Sequence, residues 1–237
     1  LLEQAKVLLC DADGSLFPSE EPAFDASTVV TNRFMAEHGS DVRFEAEQLR
    51  LATTGKNFRT TIVDLATRHG LTIAPGELEE WVAEEKRVVS AHLGKVLLPD
   101  PEVQSALRAL NGRYRLVIVS SSALTRLDAC LNATALAEMF PPELRFSAED
   151  SLPVPASKPD PAVYRHAGEY LGVSTEQAVA IEDAVPGVQS ARAAGFTAVG
   201  LIRFVPTVER AERERQLTEA GAATVVPSWA EVAALLL

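Results

Sequence analysis

Cysteine is nearly missing from this chain, with Cys10 and Cys130 the two examples in 237 residues. Two thiols cannot build the disulfide framework of a small secreted domain, and they suit a reducing compartment. Positive charge is also scarce. Lys and Arg number 22 against 33 Asp and Glu, a formal net charge of -11, which leaves no basic footprint for nucleic acid and repels an anionic membrane surface. No apolar run approaches the ~20 residues that span a bilayer. Residues 1–10 lack both the basic start and the long apolar stretch of a secretory signal. A soluble, cytoplasmic protein is expected, without nucleic acid or membrane as partner. The chain begins at Leu1, not Met, so native residues are expected before it. Histidine is rare as well: His38, His69, His92 and His166 fit no metal-ligand spacing, and two of them precede glycine at expected helix ends.

Repeats and low-complexity tracts are absent, and the apolar content of 47% supports one large core or a core with a smaller insert. The texture changes along the chain. Residues 18–97 read as helical, with amphipathic stretches at 26–38, 56–69 and 76–92, two of them stopped by Gly39 and Gly70. After Pro99, helices alternate with short β-rich runs, the pattern of a parallel sheet covered on both faces. Strands are expected at 7–10, 116–119, 179–181, 198–202 and 224–226, and helices at 100–111, 160–171 and 208–220. Ser174 to Gln177 reads as a capping box, and Ser228 with Glu231 as the cap of a final helix. The fold class expected is therefore α/β, a Rossmann-like doubly wound parallel sheet formed by residues 1–17 and 98–237, with 18–97 as an inserted helical unit.

Ligands of open parallel sheets bind beyond the carboxyl ends of the strands, and the residues there carry chemistry. Asp11 and Asp13 follow the first strand in Asp11-Ala12-Asp13-Gly14-Ser15-Leu16. Residues i and i+2 of an extended segment point the same way, so two carboxylates face one small volume and invite a cation. An EF-hand calcium loop needs glycine sixth and Glu twelfth. Here glycine is fourth and Pro22 twelfth. A plain turn cap stays open as the alternative. Ser120, Ser121 and Ser122 follow the second strand, where hydroxyls can hold phosphoryl oxygens or cap a helix. Lys158 lies in a proline-stiffened loop, Ser157-Lys158-Pro159-Asp160-Pro161, and is either an inward ammonium or a surface lysine. Glu182 and Asp183 follow the run 179–181, where burial would be unfavourable unless a cation or donors met them, and Asp183 is either part of such a site or the cap of a helix that starts at Val185-Pro186.

In this order and spacing the four segments resemble the haloacid dehalogenase superfamily. The matching residues are Asp11 to Leu16 for its first motif, Ser120 for its second, Lys158 in Lys-Pro-Asp-Pro for its third and Ile181 to Gly187 for its fourth. The insert resembles the α-helical cap of the branch that contains β-phosphoglucomutase and phosphoglycolate phosphatase. Ser15 stands where Thr is common, Pro18 where many relatives carry Asp, and Ala123 and Leu124 replace the polar residues of the phosphoglucomutase pattern.

The resemblance implies a Mg2+-dependent phosphatase for a small phosphorylated metabolite, a sugar or sugar-acid phosphate. Asp11 would be the nucleophile that forms an aspartyl phosphate, and Asp13 the acid and base. Asp11, the Asp13 carbonyl, Glu182 and Asp183 would form the magnesium site. Gly14, Ser15, Ser120, Ser121 and Lys158 would contact the phosphoryl group, with Lys56, Arg59 and Lys86 of the insert as substrate selectors. A sugar-phosphate mutase is the alternative, and a non-catalytic phosphometabolite-binding module is a third class disfavoured by an intact Asp11. The partner expected is a small phosphate ester, the state a monomer or homodimer.

Overall fold

The computed structural model describes residues 4–53 and 57–237. Along the chain it contains β1 (Val7–Cys10), α1 (Glu20–Glu37), α2 (Ala46–Ala52), α3 (Phe58–His69), α4 (Glu77–Val96), α5 (Pro101–Asn111), β2 (Arg115–Ser120) and α6 (Leu124–Ala133). There follow β3 (Arg145–Ser147), α7 (Ala162–Leu171), β4 (Ala178–Glu182), α8 (Val185–Ala193), β5 (Thr197–Leu201), α9 (Arg210–Glu219), β6 (Thr224–Val226) and α10 (Trp229–Leu236). The chain divides into two compact units, Leu1–Pro18 with Leu97–Leu237, and Ser19–Val96.

The first unit is α/β. Its sheet is parallel throughout in the described residues, in the order β3-β2-β1-β4-β5-β6. Strands such as β1 (VLLC) and β4 (AVAIE) are buried along their whole length, which explains why they read as unbroken apolar runs and not as alternating ones. Val7, Leu9, Val117, Val119, Ala178 and Ala180 pack into one core with residues of α7, α8 and α9. Their neighbours Leu8, Leu116, Ile118 and Val179 point the other way by the period of two, and are equally buried. From β1 the chain steps to β2 and β3 on one side, and from β4 to β5 and β6 on the other. The crevice is thus expected at the carboxyl ends of β1 and β4. Register puts Cys10 opposite Ile181, so Asp11 and Glu182 follow at the same height.

Helix α10 closes the unit. Ser228 caps it by accepting from the Glu231 amide at 3.2 Å, and the fully buried Trp229 donates from Nε1 to the Ser15 carbonyl at 2.7 Å. The last helix thereby holds the turn after β1.

The second unit, Ser19–Val96, is helical in its described residues. Its core gathers Val30, Phe34, Met35, Leu49, Ile62, Leu65, Ala66 and Trp81. Asn57 caps α3 by accepting from the Thr60 amide at 2.9 Å, and Gly70 ends it in the left-handed region at φ 65°.

Several boundaries differ from the sequence pattern. Helix α1 begins at Glu20, ahead of the expected 26, and α4 runs on to Val96, beyond 92. The 208–220 stretch divides into a 3-10 turn, Thr207–Glu209, and α9. Helix α2 and strand β3 were not anticipated. Helix α2 has seven residues and a single buried one, Leu49, and β3 has three residues, so neither is long enough to display a period.

Trp229→Phe should keep the ring packed but leave the buried Ser15 carbonyl without its donor. The expected loss is ~1–3 kcal/mol of stability, read from urea unfolding; an unchanged midpoint would mean that the bond contributes nothing.

Candidate active site

The turn after β1 is set by hydrogen bonds and one glycine. The Asp11 amide donates to the Ile181 carbonyl at 2.9 Å, extending the β1–β4 ladder by one residue. The Leu16 and Ser15 amides close back on the Ala12 carbonyl at 2.8 and 3.2 Å, and the Gly14 amide donates to Phe17 at 3.0 Å. Gly14 has φ 78°, a region that residues with a Cβ avoid. A Cβ there would also lie 2.2 Å from Asp183 Oδ2. Glycine is therefore required twice, by the turn and by the carboxylate laid against it. Gly187 plays the second part for Glu182, whose Oε2 would meet a Cβ at 1.7 Å.

Lys158 joins these segments. Its Nζ donates to Asp11 Oδ1 at 2.6 Å, to Glu182 Oε1 at 2.7 Å and to the Val119 carbonyl at 2.8 Å. An ammonium has three protons, so every one is engaged. Its side chain is 7% exposed, that of Asp11 10% and that of Glu182 1%. Tyr164, fully buried on α7, donates its hydroxyl to the same Glu182 oxygen, and Lys158 Nζ lies 5.4 Å from the centre of its ring. The surface-lysine alternative is thereby excluded. Burial works against charge on Lys158, but Asp11 and Glu182 outweigh it and hold the ammonium above its usual range. Burial raises Asp11 despite the opposing pull of Lys158, and pushes Glu182 up to about 7 against the same pull.

Asp11, Glu182 and Asp183 each offer a carboxylate oxygen within 4.8 Å of the others, and all three residues are buried. One ammonium shared between two of them leaves excess negative charge in a cluster of three carboxylates, which suits a divalent cation. Arg213 of α9 donates to the Asp183 main-chain carbonyl at 2.9 Å and steadies that corner. Asp183 does not cap α8; the N-cap position is Ala184.

Asp13 faces elsewhere. Its Oδ2 accepts from Ser122 Oγ at 2.6 Å and its Oδ1 from Arg126 Nη2 at 2.7 Å. Ser120, buried at the end of β2, accepts from the Ser122 amide through Oγ at 3.1 Å, which leaves its own hydroxyl proton to donate. Ser121 accepts from the Lys158 amide at 3.2 Å. The amides of Gly14 and Ser15 are engaged inside the turn, and the Ser15 side chain is fully buried.

The helical unit carries the other residues singled out in the sequence. Arg59 grips Glu79 through both Nη atoms, one at 2.6 Å. Lys86 is exposed on α4 and helps to hold the Glu79 carboxyl below its usual range, after the larger effect of Arg59. Lys56 lies outside the described residues.

Arg126, Tyr164 and Arg213 were not singled out from the sequence, and Ser122 was read there as a holder of phosphoryl oxygens or a helix cap, not as a partner of Asp13. Arg126 had a usable signal, since a cation in the first turn of a helix opposes the helix dipole. Tyr164 had none, because an aromatic on a helix's apolar stripe reads as core.

Acids and serines that follow the strands and a lysine from the loop before α7 thus meet at the carboxyl edge of a parallel α/β sheet. The family model for haloacid dehalogenase-like hydrolases matches residues 5–195, and the chain belongs to that family. A CBBY-like protein of Arabidopsis thaliana is 32% identical over 205 residues; the alignment covers 81% of this chain and 61% of that relative. A 6-phosphogluconate phosphatase of Escherichia coli (strain K12) is 25% identical over 196 residues, covering 82% of this chain and 81% of the relative. Among solved structures, a HAD family hydrolase from Deinococcus radiodurans R1 with bound phosphate and sodium is 27% identical, with a TM-score of 0.68 over 98% of this chain and 95% of that one. No helix among the described residues is long and apolar enough to cross a membrane.

Lys158→Met removes the ammonium between two buried carboxylates. Stability should fall by ~3–5 kcal/mol, measured by urea unfolding with a chelator present, and an unchanged midpoint would show that the cluster does not need its cation.

Proposed function

We propose that this chain is a magnesium-dependent phosphatase that hydrolyses a small sugar or sugar-acid phosphate through an aspartyl phosphate on Asp11. The observation that carries the reading is the buried Lys158 ammonium on Asp11 and Glu182, beside Asp183, at the crevice of a parallel sheet in a haloacid dehalogenase-like hydrolase. The 6-phosphogluconate phosphatase relative supports the sugar-acid class.

Asp11 attacks phosphorus in line, and the aspartyl phosphate then yields to water, so one hard displacement becomes two easier ones. Lys158 acts first by orienting Asp11. With its protons all engaged, it contacts a phosphoryl oxygen only by exchanging one of its present bonds. Ser120 donates its hydroxyl to a phosphoryl oxygen. Gly14, Ser15 and Ser121 line the turn and loop around it. Asp13 gives a proton to the leaving alkoxide and later takes one from the attacking water. Asp11, Glu182 and Asp183, with the Asp13 carbonyl, would hold magnesium. When bound, the ion supplies the positive charge that lets a carboxylate approach a phosphate anion. Arg59 and Lys86 are the proposed substrate selectors.

Incubation with a panel of sugar and sugar-acid phosphates should release inorganic phosphate when magnesium is present and stop when it is chelated. Asp11→Asn should fall to background, and Asp13→Ala by ~100- to 10,000-fold. A wild-type rate no greater than that of Asp11→Asn across the panel would end the phosphatase reading. Conversion to an isomeric phosphate without net release would replace it with a mutase.

A further inference from the structure

The first turn of α6 carries a residue that the phosphatase reading leaves without a task. Arg126, the third residue of that helix, reaches Asp13 across 113 positions of sequence, with Nη2 2.7 Å from Oδ1. A cation in an N-terminal turn opposes the helix dipole, so helix stability does not account for it. Ser122, also from the β2–α6 segment, takes the other oxygen at 2.6 Å. A carboxylate held through one oxygen can still rotate about its last bond. Held through both oxygens by donors on one rigid segment, its plane is fixed. The Arg126 and Asp13 side chains are 26% and 20% exposed, more open to solvent than Lys158, Asp11 and Glu182.

We propose that Arg126 is a positioning residue for the reaction: with Ser122 it sets the plane of the Asp13 carboxylate, and so the line along which the proton reaches the leaving oxygen. The proposal rests on the acid and base role given to Asp13 above. Proton transfer needs the heavy atoms within hydrogen-bond reach, and a displacement of ~1 Å can slow an enzyme ~100-fold. Lysine at this position could also supply one N–H to Oδ1, but from an ammonium that turns on its stem and not from a planar guanidinium.

The test compares Arg126→Ala, Arg126→Lys and Ser122→Ala on an alkyl phosphate from the panel and on p-nitrophenyl phosphate, whose leaving group needs no proton. Arg126→Ala should lower kcat on the alkyl phosphate ~10- to 100-fold with KM unchanged, while the first-turnover burst of p-nitrophenol stays within about 3-fold of wild type. Arg126→Lys should recover part of the lost kcat. Ser122→Ala should show the same split in a milder form, and it carries the test if Arg126→Ala does not fold. Burst and turnover falling together, with a lowered melting midpoint, would make Arg126 a structural tether and overturn the proposal, as would a kcat indistinguishable from wild type. Asp11→Asn runs beside them: a wild type no faster than Asp11→Asn removes the phosphatase reading and this inference with it. An active wild type with an unaffected Arg126→Ala removes this inference alone.

Discussion

The structure turns on one buried ammonium. Lys158 comes from a loop before α7, yet its three protons reach the residue after β1, the last residue of β4 and a main-chain carbonyl of β2. An isolated charge at that depth would be strongly unfavourable, and so would the carboxylates without it. Each group therefore makes the others tolerable, and three central strands are tied at their carboxyl ends by a single side chain. Tyr164 of α7 adds a hydroxyl to Glu182, which places the oxygen that receives both Lys158 and Tyr164.

Space around this cluster is allotted by glycines. Gly14 and Gly187 sit where a methyl group would strike Asp183 and Glu182, and neither position could hold alanine without moving a carboxylate. Trp229 anchors the same turn from the far end of the chain through the Ser15 carbonyl. The site is thus built by packing from α7, α8 and α10, although its acids come from the ends of two strands.

Two acids separated by one residue end in different surroundings. Asp11 lies in a closed cluster with a lysine and two further carboxylates, whereas the more exposed Asp13 lies between a hydroxyl and a guanidinium. Environments that differ in this way let chemically identical groups take unlike roles. Their closeness in sequence does not distinguish them; their partners do, and Lys158, Glu182, Ser122 and Arg126 all lie more than a hundred residues away.

Much of this was legible in the amino-acid order because it depends on local rules. Apolar runs such as 7–10 and 179–181 announce strands covered on both faces, and caps such as Ser228 mark helix starts from nearest neighbours alone. Acids and serines at successive strand ends were visible for the same reason, since a parallel sheet puts every strand end on one edge, and Lys158 stood out in its proline-stiffened loop. Short pieces, α2 and β3, escaped because they have too few residues to show a period. What the tertiary structure alone decided is which group meets which. Arg126 on Asp13, Tyr164 on Glu182 and Lys158 on two acids at once are contacts between distant segments, set by strand order and register, and hydrogen bonds that act over about 3 Å leave no periodic trace in the sequence.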